Sequence, residues 1–125
     1  MPVEVSSISL TNEYLDVLLT GSSAGASGQY REIHDAIFAA LDEHTCCKIL
    51  IDTSSVDYHP NILLEHNTAL DLVQRCTQSR IRLQLAVVTP PNSQHPNRHL
   101  EDTAYNRGVN LKVFATRQEA LEWLL

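Results

Sequence analysis

The stretch K-I-L-I-D, residues 48–52, decides the fold. Ile49, Leu50 and Ile51 are apolar in succession, without the polar alternation of a strand that has one wet face. Such a strand is covered on both sides, which places it in the middle of a sheet. On its N-terminal side, Tyr30, Ile33, Ile37, Phe38 and Leu41 recur at intervals of three and four and predict an amphipathic helix ending near His44. Further back, residues 3–10 and 14–20 are short runs rich in β-branched and apolar residues, with the turn formers Thr11 and Asn12 between them, and read as a hairpin.

On the C-terminal side, Pro60 stands at a plausible first helical position. Ile62, Leu63, Ala69, Leu70, Val73 and Cys76 mark the apolar stripe of a second long helix. Residues 81–88, I-R-L-Q-L-A-V-V, alternate and then turn fully apolar before Thr89, Pro90 and Pro91 end the strand. A shorter helix after Pro96 runs to Arg107, V-N-L-K-V-F (109–114) is a last strand, and residues 116–125 a last helix, opened by the capping pair Thr116 and Glu119. Strands that alternate with helices after an opening hairpin predict an α/β domain with a mostly parallel sheet and right-handed crossovers, about five strands and four helices in all.

Composition limits what such a domain can do. A chain of 125 residues, 43% of them hydrophobic, suits one domain with a core that needs no staples. Nine Lys and Arg against fifteen Asp and Glu leave a formal charge of -6, so no nucleic-acid surface is expected. The start M-P-V-E-V-S-S lacks a secretory pattern, and no stretch approaches the roughly 20 apolar residues of a membrane span, so the expected location is cytoplasmic. Cys46 and Cys47 are adjacent and Cys76 leaves an odd count, which predicts reduced thiols. No C-x-x-C pair offers zinc ligands.

The segment A-Y-N-R-G-V-N-L-K-V-F-A-T-R-Q-E-A-L-E-W-L-L, residues 104–125, resembles the ending of the SpoIIAA-like proteins. This bacterial family is related to the STAS domains, named after sulfate transporters and anti-sigma-factor antagonists. The shared features are Asn106-Arg107-Gly108, the Val113-Phe114 strand and the Ala120-Leu121-x-Trp123-Leu124 helix. The resemblance implies a small α/β sandwich without catalytic activity or cofactor, which binds partners or carries non-polar molecules. The regulatory STAS members carry aspartate-x-serine-x-valine after the central strand, present here as Asp52, Ser54 and Val56. A second stretch with a phosphate-accepting serine follows in those proteins. Here that position reads P-N-I-L, residues 60–63, with no hydroxyl and no glycine. Ser54 and Ser55 therefore do not inherit a phosphorylation role, and Asp52 is expected to accept backbone N–H bonds at the strand end.

Several features invite chemistry. T-G-S-S-A-G-A-S-G, residues 20–28, approaches a dinucleotide-binding loop, but Ser27 replaces the last glycine and the preceding strand is the second. A connection with Ser27 as helix N-cap is the better reading. Gly108 falls where a helix end needs positive φ, and Arg107 in the last turn meets the negative end of the helix dipole, so Arg107 is expected to finish its helix rather than hold an anion. His59, with Asp57 nearby, has a base's chemistry but no nucleophile elbow beside it. His66 lies near the apolar stripe of its helix as a packing histidine. His95 and His99 lack a third ligand in reach, so no metal is expected. Cys46 and Cys47 follow a helix end, where the dipole does not stabilise a thiolate, and should be inert. Trp123 and Leu124 should dock on the chain's own core.

In open α/β sheets, ligands gather at the carboxyl ends of the parallel strands. That edge would present residues 21–28, Asp52 to His59 and Thr89 to His95, with Ile62, Leu63 and Leu64 close behind. The candidate ligand-binding residues are thus Ser22, Ser23, Ser54, Asp57, Tyr58, His59 and Thr89, a mixture that suits a modest apolar pocket with polar rims. The expected function is a binding domain for a non-polar small molecule. A protein-interaction module is the alternative, and a small hydrolase that loses turnover on His59→Ala comes third. Free sheet edges and a short terminal helix leave room for a homodimer, though no residue specifies one.

Overall fold

The computed structural model describes all residues except Met1, 25–28, Thr45, Pro60, Arg80 and 91–95, together with all side chains outside these and 96–98. The readings of Ser27, Pro60 and His95 therefore lie outside the described residues. The order of elements is β1 (Glu4–Leu10), β2 (Leu15–Ser22), α1 (Gln29–His44), β3 (Lys48–Asp57), α2 (Ile62–Gln78), β4 (Gln84–Val88), α3 (Pro96–Asn106), β5 (Asn110–Phe114) and α4 (Arg117–Leu124).

The strands form one sheet in the order β1-β2-β3-β4-β5, with β1 antiparallel to β2 and the remaining pairs parallel. The hairpin closes where Thr11 Oγ1 donates to the Tyr14 carbonyl at 2.9 Å and accepts from the Tyr14 N–H at 2.9 Å. Each later strand adds beside the one before it, so consecutive right-handed crossovers return their helices to the same face. Helices α1, α2 and α3 accordingly share a core with Leu15, Val17, Ile49, Ile51 and Leu85. Helix α4 follows the last strand, needs no crossover, and covers the opposite face over Leu50, Ala86 and Val88. This is why β3 and β4 are apolar on both faces. Strand β2 alternates instead: Leu15, Val17 and Leu19 are buried, while Asp16 and Leu18 turn to the face of α4, which is too short to cover them fully.

Three local features fix the frame. Gly21 has φ +108°, and a Cβ there would stand 2.1 Å from the Pro2 carbonyl oxygen, so the edge of the sheet requires glycine at this point. Gly108 has φ +71°, and the Gly108 N–H to Tyr105 and Val109 N–H to Ala104 bonds, at 3.1 and 2.9 Å, close the end of α3 as a Schellman motif. Arg107 is exposed beside it, in the helix-ending place expected. Thr116 caps α4 by accepting from the Glu119 N–H, and Leu124 and Ala120 dock with Trp123 against Phe114, as read from the sequence.

Some boundaries differ from expectation. Strand β3 runs on to Asp57, because it pairs with β2 up to Ser22 and Asp57. Strand β4 begins at Gln84 rather than residue 81. The start of α2 is capped by Asn61, whose side chain accepts from the Leu64 N–H. On α2 the buried residues are Ala69, Leu72, Val73 and Cys76, while Ile62 and Leu63 are 85% and 69% exposed. The core reaches this helix only from Ala69 onward, and the turns before it border a cavity.

Candidate functional site

The cavity holds about 240 Å³ and lies between α1, α2 and the sheet, towards the carboxyl ends of β2, β3 and β4. Its walls are mainly apolar, with Leu19, Ile33, Val56, Leu72 and Val87 among them. It exists because α2 presents Leu64, Glu65 and Thr68 where a longer apolar stripe would have filled the space. The polar groups on its lining include Ser23, Thr53, Tyr58 and Thr68, and, from the middle of α1, His34.

His34 is 5% exposed, and its Nδ1 lies 2.6 Å from Asp71 Oδ2 on α2. Arg75, one turn further along α2, bonds Asp71 through Nε at 2.9 Å and reaches across to Asp35 of α1 at 2.5 Å. Burial pushes the His34 imidazole below its ordinary value of 6.5, and the bond to Asp71 only partly offsets this, so the ring is neutral near pH 7. Burial opposes ionisation of Asp71, but the His34 and Arg75 bonds outweigh it and hold that carboxyl below its usual range. An ionised carboxylate only accepts, so the His34 proton sits on Nδ1 and the other ring nitrogen, Nε2, carries a lone pair.

At the mouth, Tyr58 donates its hydroxyl proton to Glu65, and burial together with that bond raises the phenol well above its ordinary range. Ser23 Oγ bonds the His59 backbone, accepting its N–H at 2.6 Å and donating to its carbonyl at 3.1 Å. His59 Nε2 pairs with Asp57 at 2.9 Å, and Ser22 Oγ approaches the same carboxylate at 3.5 Å. Of the candidate residues, Ser23 and Tyr58 therefore line the cavity, and Ser22, Asp57 and His59 tie together the strand ends above it. Ser54 and Thr89 do not join them. Thr89 is buried, with its N–H bonded to Phe114 at 2.9 Å. Ser54 turns to the α4 face, because side chains alternate along β3.

On that face Ser54 donates to Asp52 Oδ1 through its hydroxyl and backbone N–H, at 2.6 and 2.9 Å. The acceptor role expected for Asp52 is thus present, although in mid-strand rather than at a strand end. Arg117 adds a bond to Asp52 at 3.0 Å and a second to Asp16.

The other histidine readings fare differently. His66 is exposed rather than packed, with its ring against His99 of α3 and Nδ1 to Nε2 at 3.1 Å. Among the described residues no three His, Cys, Asp or Glu converge as metal ligands. Cys47 is exposed, Cys46 donates to the Lys48 carbonyl, and burial pushes the Cys76 thiol up to about 12. His34 and Asp71 went unread in the sequence. The signal was present, since His34 stands between Tyr30 and Ile37 on the apolar stripe of α1, and Asp71 next to Leu72 on α2.

No protein-family model matches the chain, and no curated protein does. Among solved structures it is similar to an uncharacterised protein of the DUF3478 family from Shewanella loihica, described as having a SpoIIAA-like fold. The match has a TM-score of 0.56 at 16% identity and covers 98% of this chain and 93% of the other. At that identity the likeness speaks to architecture alone, and with the sheet order and helix placement above it establishes that this chain has a SpoIIAA-like fold.

Proposed function

We propose that this protein is a non-catalytic binding domain that holds a small non-polar molecule in the cleft between α1 and α2. The observation that carries the reading is the apolar cavity of about 240 Å³ at the carboxyl ends of the parallel strands. That volume exceeds the roughly 150 Å³ that accepts benzene in an engineered core, and falls below the roughly 300 Å³ at which pockets for drug-sized ligands begin. One ring with a short tail fits this range. Recognition rather than catalysis is favoured because, among the described residues, no hydroxyl or thiol is hydrogen-bonded to His34 as a nucleophile would be. The reading places the protein in the cytoplasm, a setting that suits its free Cys46, Cys47 and Cys76.

Native mass spectrometry of the purified protein, paired with organic extraction, tests this directly. A reproducible apolar adduct that leaves on denaturation is expected, and Leu64→Trp, which places an indole at the cavity mouth, should abolish it while the variant stays folded. A bare protein that also fails to take up added apolar molecules would sink the carrier reading. It would favour the second one, a protein-binding module, for which the exposed Ile62 and Leu63 at the start of α2 speak. Turnover of an ester or phosphoester that His59→Ala removes would instead make it a hydrolase.

A further inference from the structure

The lining of the cavity is asymmetric in hydrogen-bonding character. Four hydroxyls on it have committed their protons to internal acceptors: Thr53 to the Val88 carbonyl at 2.5 Å, Thr68 to the Leu64 carbonyl at 2.7 Å, Ser23 to the His59 carbonyl and Tyr58 to Glu65. These oxygens keep lone pairs only. His34 gives its Nδ1 proton to Asp71, so Nε2 is the polar atom of the ring that remains for an occupant, and it too is an acceptor. Apart from Gln29, whose amide carries both functions, and Tyr30, whose phenol can donate, the side chains on the wall accept and do not donate.

We propose that the cavity selects a neutral, largely apolar molecule bearing a hydroxyl, a phenol or short-chain alcohol, whose O–H donates to His34 Nε2. The inference rests on the carrier reading and narrows it. A pure hydrocarbon would leave Nε2 without a partner. A carboxylate would set its oxygens mostly against acceptors, close to the negative charges of Glu65 and Asp71, and would have to be desolvated as well. A hydroxyl satisfies the imidazole and leaves the rest of the ligand to the apolar walls. Asp71 and the Arg75 clamp to Asp35 are positioning residues here: they fix the tautomer and the ring while touching no ligand.

The test is a heteronuclear NMR titration of the full chain near neutral pH with para-propylphenol, propylbenzene and para-propylbenzoate. These probes share one body and differ at the head group. The phenol is expected to bind about five-fold tighter than the hydrocarbon, the margin of one net hydrogen bond, and the benzoate more weakly than either. In long-range nitrogen spectra the His34 Nε2 resonance should move with the phenol and stay in place with the hydrocarbon. His34→Phe keeps an aromatic ring and removes the acceptor; it should erase the preference for the phenol while retaining hydrocarbon binding. Should that variant not fold, the wild-type ranking and the nitrogen shift still decide. Equal affinity for phenol and hydrocarbon, or tightest binding of the benzoate, overturns the proposal and leaves the carrier reading standing. Binding of none of the three sinks the carrier reading itself, and the proposal with it.

Discussion

Gly21 and Gly108 are both left-handed, yet they carry different loads. At Gly21 a methyl group meets the Pro2 carbonyl, whereas at Gly108 it meets nothing within 4 Å. Gly108→Ala should therefore cost about 1 kcal/mol, the conformational share alone, and Gly21→Ala should cost clearly more, with Pro2 displaced from the sheet edge. Chemical denaturation of the two variants checks the order; equal losses would mean the Pro2 contact is not limiting. The Arg117 guanidinium also acts as a single residue, tying Asp16 to Asp52 under α4. Asp16 Oδ1 is buried without a hydrogen-bond partner among the described residues, so the pair leans on Arg117 for compensation. Arg117→Gln is expected to cost about 1–3 kcal/mol, discounted because the side chain is partly exposed, and Asp16→Asn in that background should recover part of the loss.

Among the elements, α4 shows most plainly how much a short helix depends on its ends. With eight residues it is marginal by itself, and its stability comes from the Thr116 cap and from Ala120 and Leu124 on the sheet. Thr116→Ala should cost about 1 kcal/mol and raise amide exchange through α4 before the rest of the sheet. Exchange that rises uniformly would contradict this. Much of α4 was legible beforehand, because a capping box and an apolar stripe are local signals. Helix α2 was legible in existence and, at Ala69, Val73 and Cys76, in its buried face, but not in its first turns. Its apolar pattern begins at Ile62, and only the position of the cavity decides that Leu64, Glu65 and Thr68 border open space while Leu63 faces out.

For the molecule as a whole, the His34 ring links the cavity to global stability. The unfolded chain takes up this proton near pH 6.5, whereas the folded chain resists it until lower pH, so between those points the unfolded state binds more protons. Stability should therefore fall as pH drops below about 6.5, and His34→Phe, which cannot titrate, should flatten that part of a melting-temperature profile. Asp52 and Asp71, both held below their ordinary 3.8, act further down: their contribution is complete above that value and is lost as pH falls through their lowered range. The sequence by itself determined the alternation of strands and helices, the central place of K-I-L-I-D, the helix end at Gly108 and the docking of α4. Each of these follows from periodicity and backbone preferences within a few neighbouring residues. Tertiary structure alone decided the strand order, the gathering of α1 to α3 on one face, and the meeting of His34 with Asp71 across 37 positions of chain beside an unfilled space. The physical reason is that a cavity is a property of what two helices and a sheet leave between them, and no local pattern records it.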